Sequence, residues 1–187
     1  MAHYHRDTEC IHAGYQPGNG ESRVLPITQS TTFRYDSAET LGKLFDLEED
    51  GFFYTRLGNP TLDAVEKKIA ALEGGVGAML TSSGQAASLL SILNLCSAGD
   101  SFIAASTIYG GTINLFGVTL KKLGIECIWA DAEASEEEVQ KLFKPNTKAV
   151  FGETLANPAL TVFDIEKWAN IAHKNNVPLI VDNKFAT

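Results

Sequence analysis

The sequence lacks the features that mark several large classes of protein. It has no basic run, and its formal net charge is −8, from 15 Lys and Arg against 23 Asp and Glu. An acidic chain of this kind is a poor candidate for binding nucleic acid or an anionic membrane. Its longest apolar run, around Leu89 to Cys96, is interrupted by Ser91 and Asn94 and is too short to cross a bilayer. We therefore expect neither a nucleic acid nor a membrane as partner.

Cysteine is also scarce. The 187 residues include three cysteines, Cys10, Cys96 and Cys127, with wide spacings and no CxxC pair. This pattern argues against a disulfide framework and a zinc site, and it fits a reducing compartment. The start of the chain lacks the apolar stretch of a signal peptide. These absences predict a cytoplasmic protein without a metal site.

A regular alternation of strand and helix patterns begins after residue 60. Residues 1–60 form no convincing compact unit, and we expect an extended arm that lies on a partner subunit. In residues 61–187, helical spacing alternates with short apolar runs that predict strands, namely "VGAMLTSS", "DSFIAAS", "IECIWAD", "KAVFGET" and "VPLIVDN". This pattern predicts an α/β domain with a mostly parallel sheet and helices on both faces.

Polar residues follow these predicted strands. Parallel sheets of this kind bind ligands at the carboxyl ends of their strands. The segments at those ends are Thr81 to Gly84, Ser106 to Tyr109, Glu153 to Asn157, and Asp182 with Asn183. The sequence therefore predicts a single site at this edge of the sheet.

The segment "TSSGQAA" lies between a predicted strand and a predicted helix. Ser83, Gly84 and Gln85 would open the helix, whose free N–H groups and dipole favour an anion such as phosphate. An ordinary serine N-cap followed by a packing glycine explains the same residues. The segment is neither a Walker A loop nor GxGxxG, which argues against the common nucleotide binders.

Three further residues stand at the predicted strand ends. Asp182 ends a buried apolar strand and needs a partner, for which a protonated pyridine nitrogen, a metal and a helix cap are the candidates. An aspartate that caps the next turn explains the same residue. Tyr109 precedes two glycines and either stacks on a flat ligand ring or packs on the surface. Asn157 precedes Pro158, which is typical of a turn.

Taken together and in order, these segments resemble one enzyme family. The residues that carry the resemblance are His12-Ala-Gly, "YTRLGNPT", "TSSGQAA", "TIYGGT", "ETLANP" and "VDN". They resemble the Cys/Met-metabolism family of pyridoxal-phosphate (PLP) enzymes, and the likeness runs through nearly the whole chain. The resemblance implies PLP as cofactor and the large domain of a fold-type I PLP-dependent transferase. It also implies an amino-acid substrate and a homodimer or homotetramer with shared sites.

The resemblance assigns roles to residues at both ends of the chain. It implies that Tyr54 and Arg56, in the 1–60 arm, reach the neighbouring subunit and hold its cofactor phosphate. Arginine suits this role because its fork binds phosphate bidentately. The phosphate-binding backbone of the chain's own site would be Gly84 and Gln85, with Ser83 beside them, in the partial PLP-binding domain of residues 61–187.

The same resemblance assigns the cofactor ring. Tyr109 matches the residue stacked on the ring, and Asn157 matches the residue near the ring hydroxyl. Asp182 matches the carboxylate that pairs with the pyridine nitrogen and keeps the ring electron-accepting. Tyr109 and Asp182 are therefore the expected catalytic residues within this chain.

Two details favour one branch of the family. Methionine gamma-lyases typically carry a cysteine two residues after the stacking tyrosine, where this chain has Gly111, and Gln85 stands where many relatives have methionine. Both resemble O-acetylhomoserine sulfhydrylases of methionine biosynthesis. The expected reaction replaces acetate by sulfide or a thiol, giving homocysteine or methionine. Cystathionine gamma-synthase, cystathionine gamma-lyase and methionine gamma-lyase are the enzyme alternatives.

The chain departs from the family pattern at two points. The lysine that forms the Schiff base, the carboxylate-binding arginine and the C-terminal domain would lie beyond Thr187, so we expect residues 1–187 to be inactive alone. Lys184 stands where relatives usually have threonine. A truncated, non-catalytic module that assembles with full-length subunits is therefore an alternative from another class. A different α/β binder of a phosphorylated ligand is a third interpretation.

Overall fold

The computed structural model describes residues 4–186. Within them the chain divides into two compact units, one ending at Leu80 and the other beginning at Thr81. The predicted boundary at residue 60 and the reach of the arm to a neighbouring subunit stay predictions.

The first unit contains the helices α1 (Arg6–His12), α2 (Ala38–Phe45) and α3 (Pro60–Glu73). Helix α3 begins where Asn59 accepts a hydrogen bond from the Thr61 N–H, and it ends at Gly74 in the left-handed region. Helix α1 packs along it, because Arg6 donates to the Leu72 carbonyl at 2.6 Å and Lys68 to the Cys10 carbonyl at 2.9 Å. The N-terminal segment is thus anchored on α3.

The segment between α1 and α3 is held by scattered contacts. Thr32 and Tyr54 form an isolated antiparallel bridge, and Asn59 donates to the Thr28 carbonyl at 3.0 Å. Near α2, the rings of Phe45 and Phe53 lie 4.4 Å apart. This part of the chain is irregular and has few buried side chains.

The second unit is built on a four-stranded parallel sheet. Its strands are β1 (Ser101–Ala105), β2 (Glu126–Ala130), β3 (Thr147–Glu153) and β4 (Leu179–Asp182), in the order β2-β1-β3-β4. All five residues of β1 are buried, so both faces of the sheet are covered there. Four of the predicted strands and the parallel sheet are confirmed.

The helices of the second unit lie between the strands. They are α4 (Gly84–Leu95), α5 (Gly110–Asn114), α6 (Glu136–Gln140) and α7 (Ile165–Lys174), and a π-helical segment (Leu115–Leu120) continues α5. The core centres on Phe116, whose ring meets those of Phe102 and Phe151 edge-on at 4.9 Å each. Trp168 of α7 is fully buried and stacks on Phe163. This packing fixes the strand ends where the site is predicted.

The prediction of a strand at "VGAMLTSS" is wrong. Residues 76–81 form no strand, and Val76 and Met79 are exposed. A strand requires a neighbour for its backbone hydrogen bonds, and none of the residues 4–186 pairs with this segment in the sheet. None of the helices in the described part of the chain has the length and apolar character needed to span a membrane.

Candidate functional site

A cavity of about 740 Å³ lies at the carboxyl ends of β3 and β4. Its lining includes several of the predicted site residues, namely Gly84, Gln85, Tyr109, Asn157 and Asp182. Glu153 and Lys184 line it as well. All of these belong to the second unit, so one unit brings together the polar ends of two strands and the start of a helix.

The N-terminus of α4 opens onto this cavity. Ser83 is the N-cap, and its side chain accepts a hydrogen bond of 3.1 Å from the Ala86 N–H. The first N–H groups of a helix have no carbonyl partner within the helix. A Cβ added at Gly84 would meet no atom within 4 Å, so the approach to these groups is open. The serine cap is therefore present, and an anion site at the same helix end stays a prediction.

The side chain of Gln85 is engaged elsewhere. Its Nε2 donates a hydrogen bond of 3.0 Å to Oγ1 of Thr112, a residue of α5 that is only 1% exposed. A phosphate at this helix end would therefore meet the backbone N–H of Gln85 rather than its side-chain amide. The side chain joins α4 to α5 instead.

Tyr109 sits directly before α5 and is 48% exposed. Its carbonyl accepts hydrogen bonds from the N–H groups of Thr112 and Ile113, and its own N–H donates to Oε2 of Glu153 at 2.7 Å. A Cβ at Gly111 would lie 2.5 Å from Cε1 of the tyrosine ring. The ring therefore lies close over Gly111, and a side chain at position 111 would require the ring to shift.

Two carboxylates stand side by side at the strand ends. Glu153 and Asp182 are paired residues in the register of β3 and β4. Asp182 Oδ1 accepts a hydrogen bond of 3.1 Å from the Lys184 N–H, so this aspartate does cap the turn that follows its strand. Burial raises the pKa of the Glu153 carboxyl, and the negative charge of Asp182 adds to the rise while Lys184 opposes it.

Glu153 lies in one of the polar segments predicted to form the site, but reasoning from sequence gave it no role of its own. Its position after a buried strand was visible, but the segment "ETLANP" reads equally well as turn chemistry. The hydrogen bond that gives it a place in the site joins residues 44 positions apart. Only the pairing of β1 with β3 brings those residues together.

Tyr54 and Arg56 belong to the first unit. The Arg56 guanidinium lies 5.1 Å from the centre of the Tyr54 ring, and the arginine side chain is exposed. They do not line the cavity. Their predicted role at a neighbouring subunit's cofactor stays a prediction.

The parallel sheet and the cavity at its strand ends define an α/β domain with a ligand site in the usual place for such sheets. The chain belongs to the family described as Cys/Met metabolism PLP-dependent enzyme, which matches residues 7–187. The resemblance seen in the motifs is thereby confirmed.

Individual relatives agree with this assignment. The O-acetyl-L-homoserine sulfhydrylase of Corynebacterium glutamicum is 50% identical over 182 residues, which are 97% of this chain and 42% of that protein. The L-methionine gamma-lyase of Fusobacterium nucleatum subsp. polymorphum is 44% identical over 98% of this chain and 47% of its own length. The chain thus spans less than half the length of the curated relatives it matches.

A solved structure confirms the fold. The O-acetylhomoserine (thiol)-lyase of Campylobacter jejuni, crystallised with N'-pyridoxyl-lysine-5'-monophosphate, superposes with a TM-score of 0.91 at 36% identity. The match covers 97% of this chain and 44% of that one. The fold is that of the large domain of fold-type I PLP enzymes, as the resemblance implied.

PLP is the cofactor of this family, and the cavity fits it. The open N-terminus of α4 suits its phosphate, the exposed ring of Tyr109 suits its flat ring, and Asp182 offers a carboxylate for its nitrogen. Among residues 4–186, no group of three or more His, Cys, Asp and Glu side chains is arranged to hold a metal ion.

Proposed function

We propose that the protein is a PLP-dependent transferase acting as an O-acetylhomoserine sulfhydrylase. Sulfide or a thiol replaces the acetate of O-acetylhomoserine, so that a carbon–sulfur bond forms, a carbon–oxygen bond breaks and acetate leaves. Sulfide gives homocysteine, and methanethiol gives methionine. This is a step in the metabolism of cysteine and methionine, and the scarcity of cysteine favours the cytoplasm as its place.

The observation that carries this choice is Gly111. Methionine gamma-lyases typically carry a cysteine at this position, two residues after the stacking tyrosine, and a glycine supplies no thiol there. The 50% identity to a sulfhydrylase, against 44% to a methionine gamma-lyase, supports the same choice.

The residues at the start of α4 and α5 hold the cofactor in this proposal. The N–H groups of Gly84 and Gln85 bind the phosphate, and the helix dipole favours the negative charge. The Ser83 side chain caps the first turn at the Ala86 N–H and leaves the N–H groups of Gly84 and Gln85 to the phosphate. The ring of Tyr109 stacks on one face of the cofactor and excludes water from it.

The strand ends hold the opposite side of the cofactor. Asp182 would accept a hydrogen bond from the pyridine nitrogen and keep it protonated, and Asn157 would contact the ring hydroxyl. PLP supplies a ring that accepts electrons from the substrate. The contribution of Asp182 is to hold the proton that makes this acceptance favourable.

The negative charge of the phosphate is best neutralised by a cation. We assign this role to a residue in the first unit of a second subunit. Arg56 is exposed and always charged, and Tyr54 lies beside it. Each active site would then be shared within a homodimer, or within a homotetramer of two such dimers. The Asn59 cap and the Pro60 start of α3 fix the turn that carries both residues.

The test is a substrate comparison with the full-length protein loaded with PLP. Homocysteine and acetate are measured from O-acetylhomoserine and sulfide, and methanethiol is measured from methionine alone. We expect kcat/KM to be higher for the replacement reaction. A higher kcat/KM for methionine breakdown would make the protein a methionine gamma-lyase. This is the second candidate, and the 44% identity to the Fusobacterium nucleatum methionine gamma-lyase supports it. No PLP binding at all would favour the non-catalytic module.

A further inference from the structure

We infer that Glu153 is a positioning residue of the cofactor pocket, whose carboxylate holds the Tyr109 backbone and so sets where the tyrosine ring stands. This inference rests on the proposed function, because it concerns the ring assigned to the cofactor. Nothing in the family motifs assigned a role to this glutamate.

The geometry places Glu153 at the right point. It is the last residue of β3 and only 8% exposed, and it lines the cavity. Its Oε2 accepts the Tyr109 N–H at 2.7 Å, which is short for a hydrogen bond from a backbone amide. The carboxylate thus joins the end of one strand to the loop that follows its neighbour β1.

The Tyr109 loop is held from two sides. On the helix side, the Tyr109 carbonyl accepts hydrogen bonds from the N–H groups of Thr112 and Ile113, and the Thr112 side chain is joined to Gln85. Tyr109 makes no side-chain capping bond at the start of α5. On the sheet side, the Glu153 carboxylate holds the loop at the Tyr109 N–H.

The choice of a charged residue is costly for folding. Burial and the adjacent Asp182 both disfavour an ionised carboxylate at position 153. A neutral glutamine oxygen would accept the same N–H without that cost. The charge is explained if it strengthens the hold on the amide, since charge-assisted hydrogen bonds are shorter and stronger than neutral ones.

The experiment compares the full-length protein with the variants Glu153→Ala and Glu153→Gln. Hydrogen exchange of the Tyr109 amide reports on the bond itself, and a titration with PLP reports on the pocket. The matched control is Thr154→Ala, which removes a side-chain hydrogen bond of 2.8 Å to Asn183 at the same strand end without touching Tyr109.

We expect Glu153→Ala to speed exchange of the Tyr109 amide about tenfold or more, since hydrogen bonds to charged groups contribute at least that factor. Its Kd for PLP should rise by a similar factor. Glu153→Gln should restore only part of both, because a neutral oxygen holds the amide less strongly than a charged one. Thr154→Ala should leave the Tyr109 amide unchanged. Unchanged exchange in Glu153→Ala would overturn the inference. Faster exchange with an unchanged Kd would overturn the positioning role.

These outcomes separate the inference from the proposed function. If the unmodified protein binds no PLP, the proposed function fails and the positioning role falls with it. If it binds PLP and Glu153→Ala binds equally well, the proposed function stands and only the inference is overturned.

Discussion

Gln85 Nε2 donates a hydrogen bond of 3.0 Å to Thr112 Oγ1, and this bond joins the first turn of α4 to α5. One helix carries the predicted phosphate site and the other follows Tyr109 directly. The hydrogen bond therefore links the predicted phosphate site to the helix that begins at Tyr109.

Replacing Thr112 with valine tests this link. The substitution keeps the shape of a residue that is only 1% exposed but removes the acceptor of Gln85. We expect a loss of about 1 kcal/mol in the free energy of unfolding, the usual contribution of one hydrogen bond. Urea denaturation measures it, and Thr119→Val, at an exposed position in the π-helical segment, is the control. Equal effects of the two variants would contradict the link.

The anchoring of α1 on α3 depends on Gly14. Its φ is +85°, and an added Cβ would lie 2.1 Å from the Ala64 carbonyl oxygen. Gly14→Ala should therefore lower the free energy of unfolding by more than the roughly 1–2 kcal/mol that an alanine in the left-handed region costs. It should also detach the N-terminal segment from α3. Limited proteolysis at residues 1–20 would detect this.

Gly20 offers the matched control for that substitution. Its φ is +80°, but an added Cβ meets nothing within 4 Å. Gly20→Ala should carry the backbone strain without the clash and leave the segment anchored. If both variants were cleaved at the same rate, steric contact with α3 would not be the cause.

The three cysteines should differ in reactivity near neutral pH. Burial raises the pKa of the Cys96 thiol to about 11, and burial raises that of Cys127 strongly as well. The thiolate is the reactive form, so both should label slowly, whereas Cys10 is exposed in α1. Iodoacetamide labelling followed by peptide mapping should modify Cys10 first, and Cys10→Ser should remove the fast phase. Equally fast labelling of Cys127 would contradict the burial seen here.

Stability should depend on pH through Glu153. Its carboxyl pKa is raised above 4.5 in the folded protein, so the native state binds the proton more tightly than the unfolded chain. The contribution of this group is therefore present at low pH and is lost as pH rises from 4.5 through the folded pKa. The groups that act on it are the Tyr109 N–H, Asp182 of β4 and Lys184 in the turn after it.

Glu153→Gln does not titrate in this range and isolates the effect. We expect the unfolding free energy of the unmodified protein, minus that of the variant, to fall across the window and to be level on either side. Urea denaturation at a series of pH values gives this difference. A difference that rises with pH would mean that the hydrogen bond to Tyr109 outweighs burial.

Most of the sheet could be predicted from sequence because its strands are short apolar runs followed by polar residues. The strands at "DSFIAAS", "IECIWAD", "KAVFGET" and "VPLIVDN" form as expected, and their ends bring Asp182 and Asn157 to one cavity. The pattern works best at β1 and β3, where nearly all residues are buried and paired with neighbouring strands.

The failures have physical causes. The segment "VGAMLTSS" has the composition of a strand, but a strand forms only where a neighbour accepts its hydrogen bonds, and composition does not report the neighbour. The contacts of Tyr109 with Glu153 and of Gln85 with Thr112 span 44 and 27 residues. They follow from sheet order and helix placement, which the local sequence does not specify.

The most direct test of the account is a crystal structure of the full-length protein with PLP bound. We predict the phosphate within hydrogen-bonding distance of the Gly84 and Gln85 N–H groups, the pyridine nitrogen beside Asp182, and the cofactor ring against that of Tyr109. A phosphate bound away from the start of α4, or a ring that leaves Asp182 without contact, would contradict the assignment of this cavity.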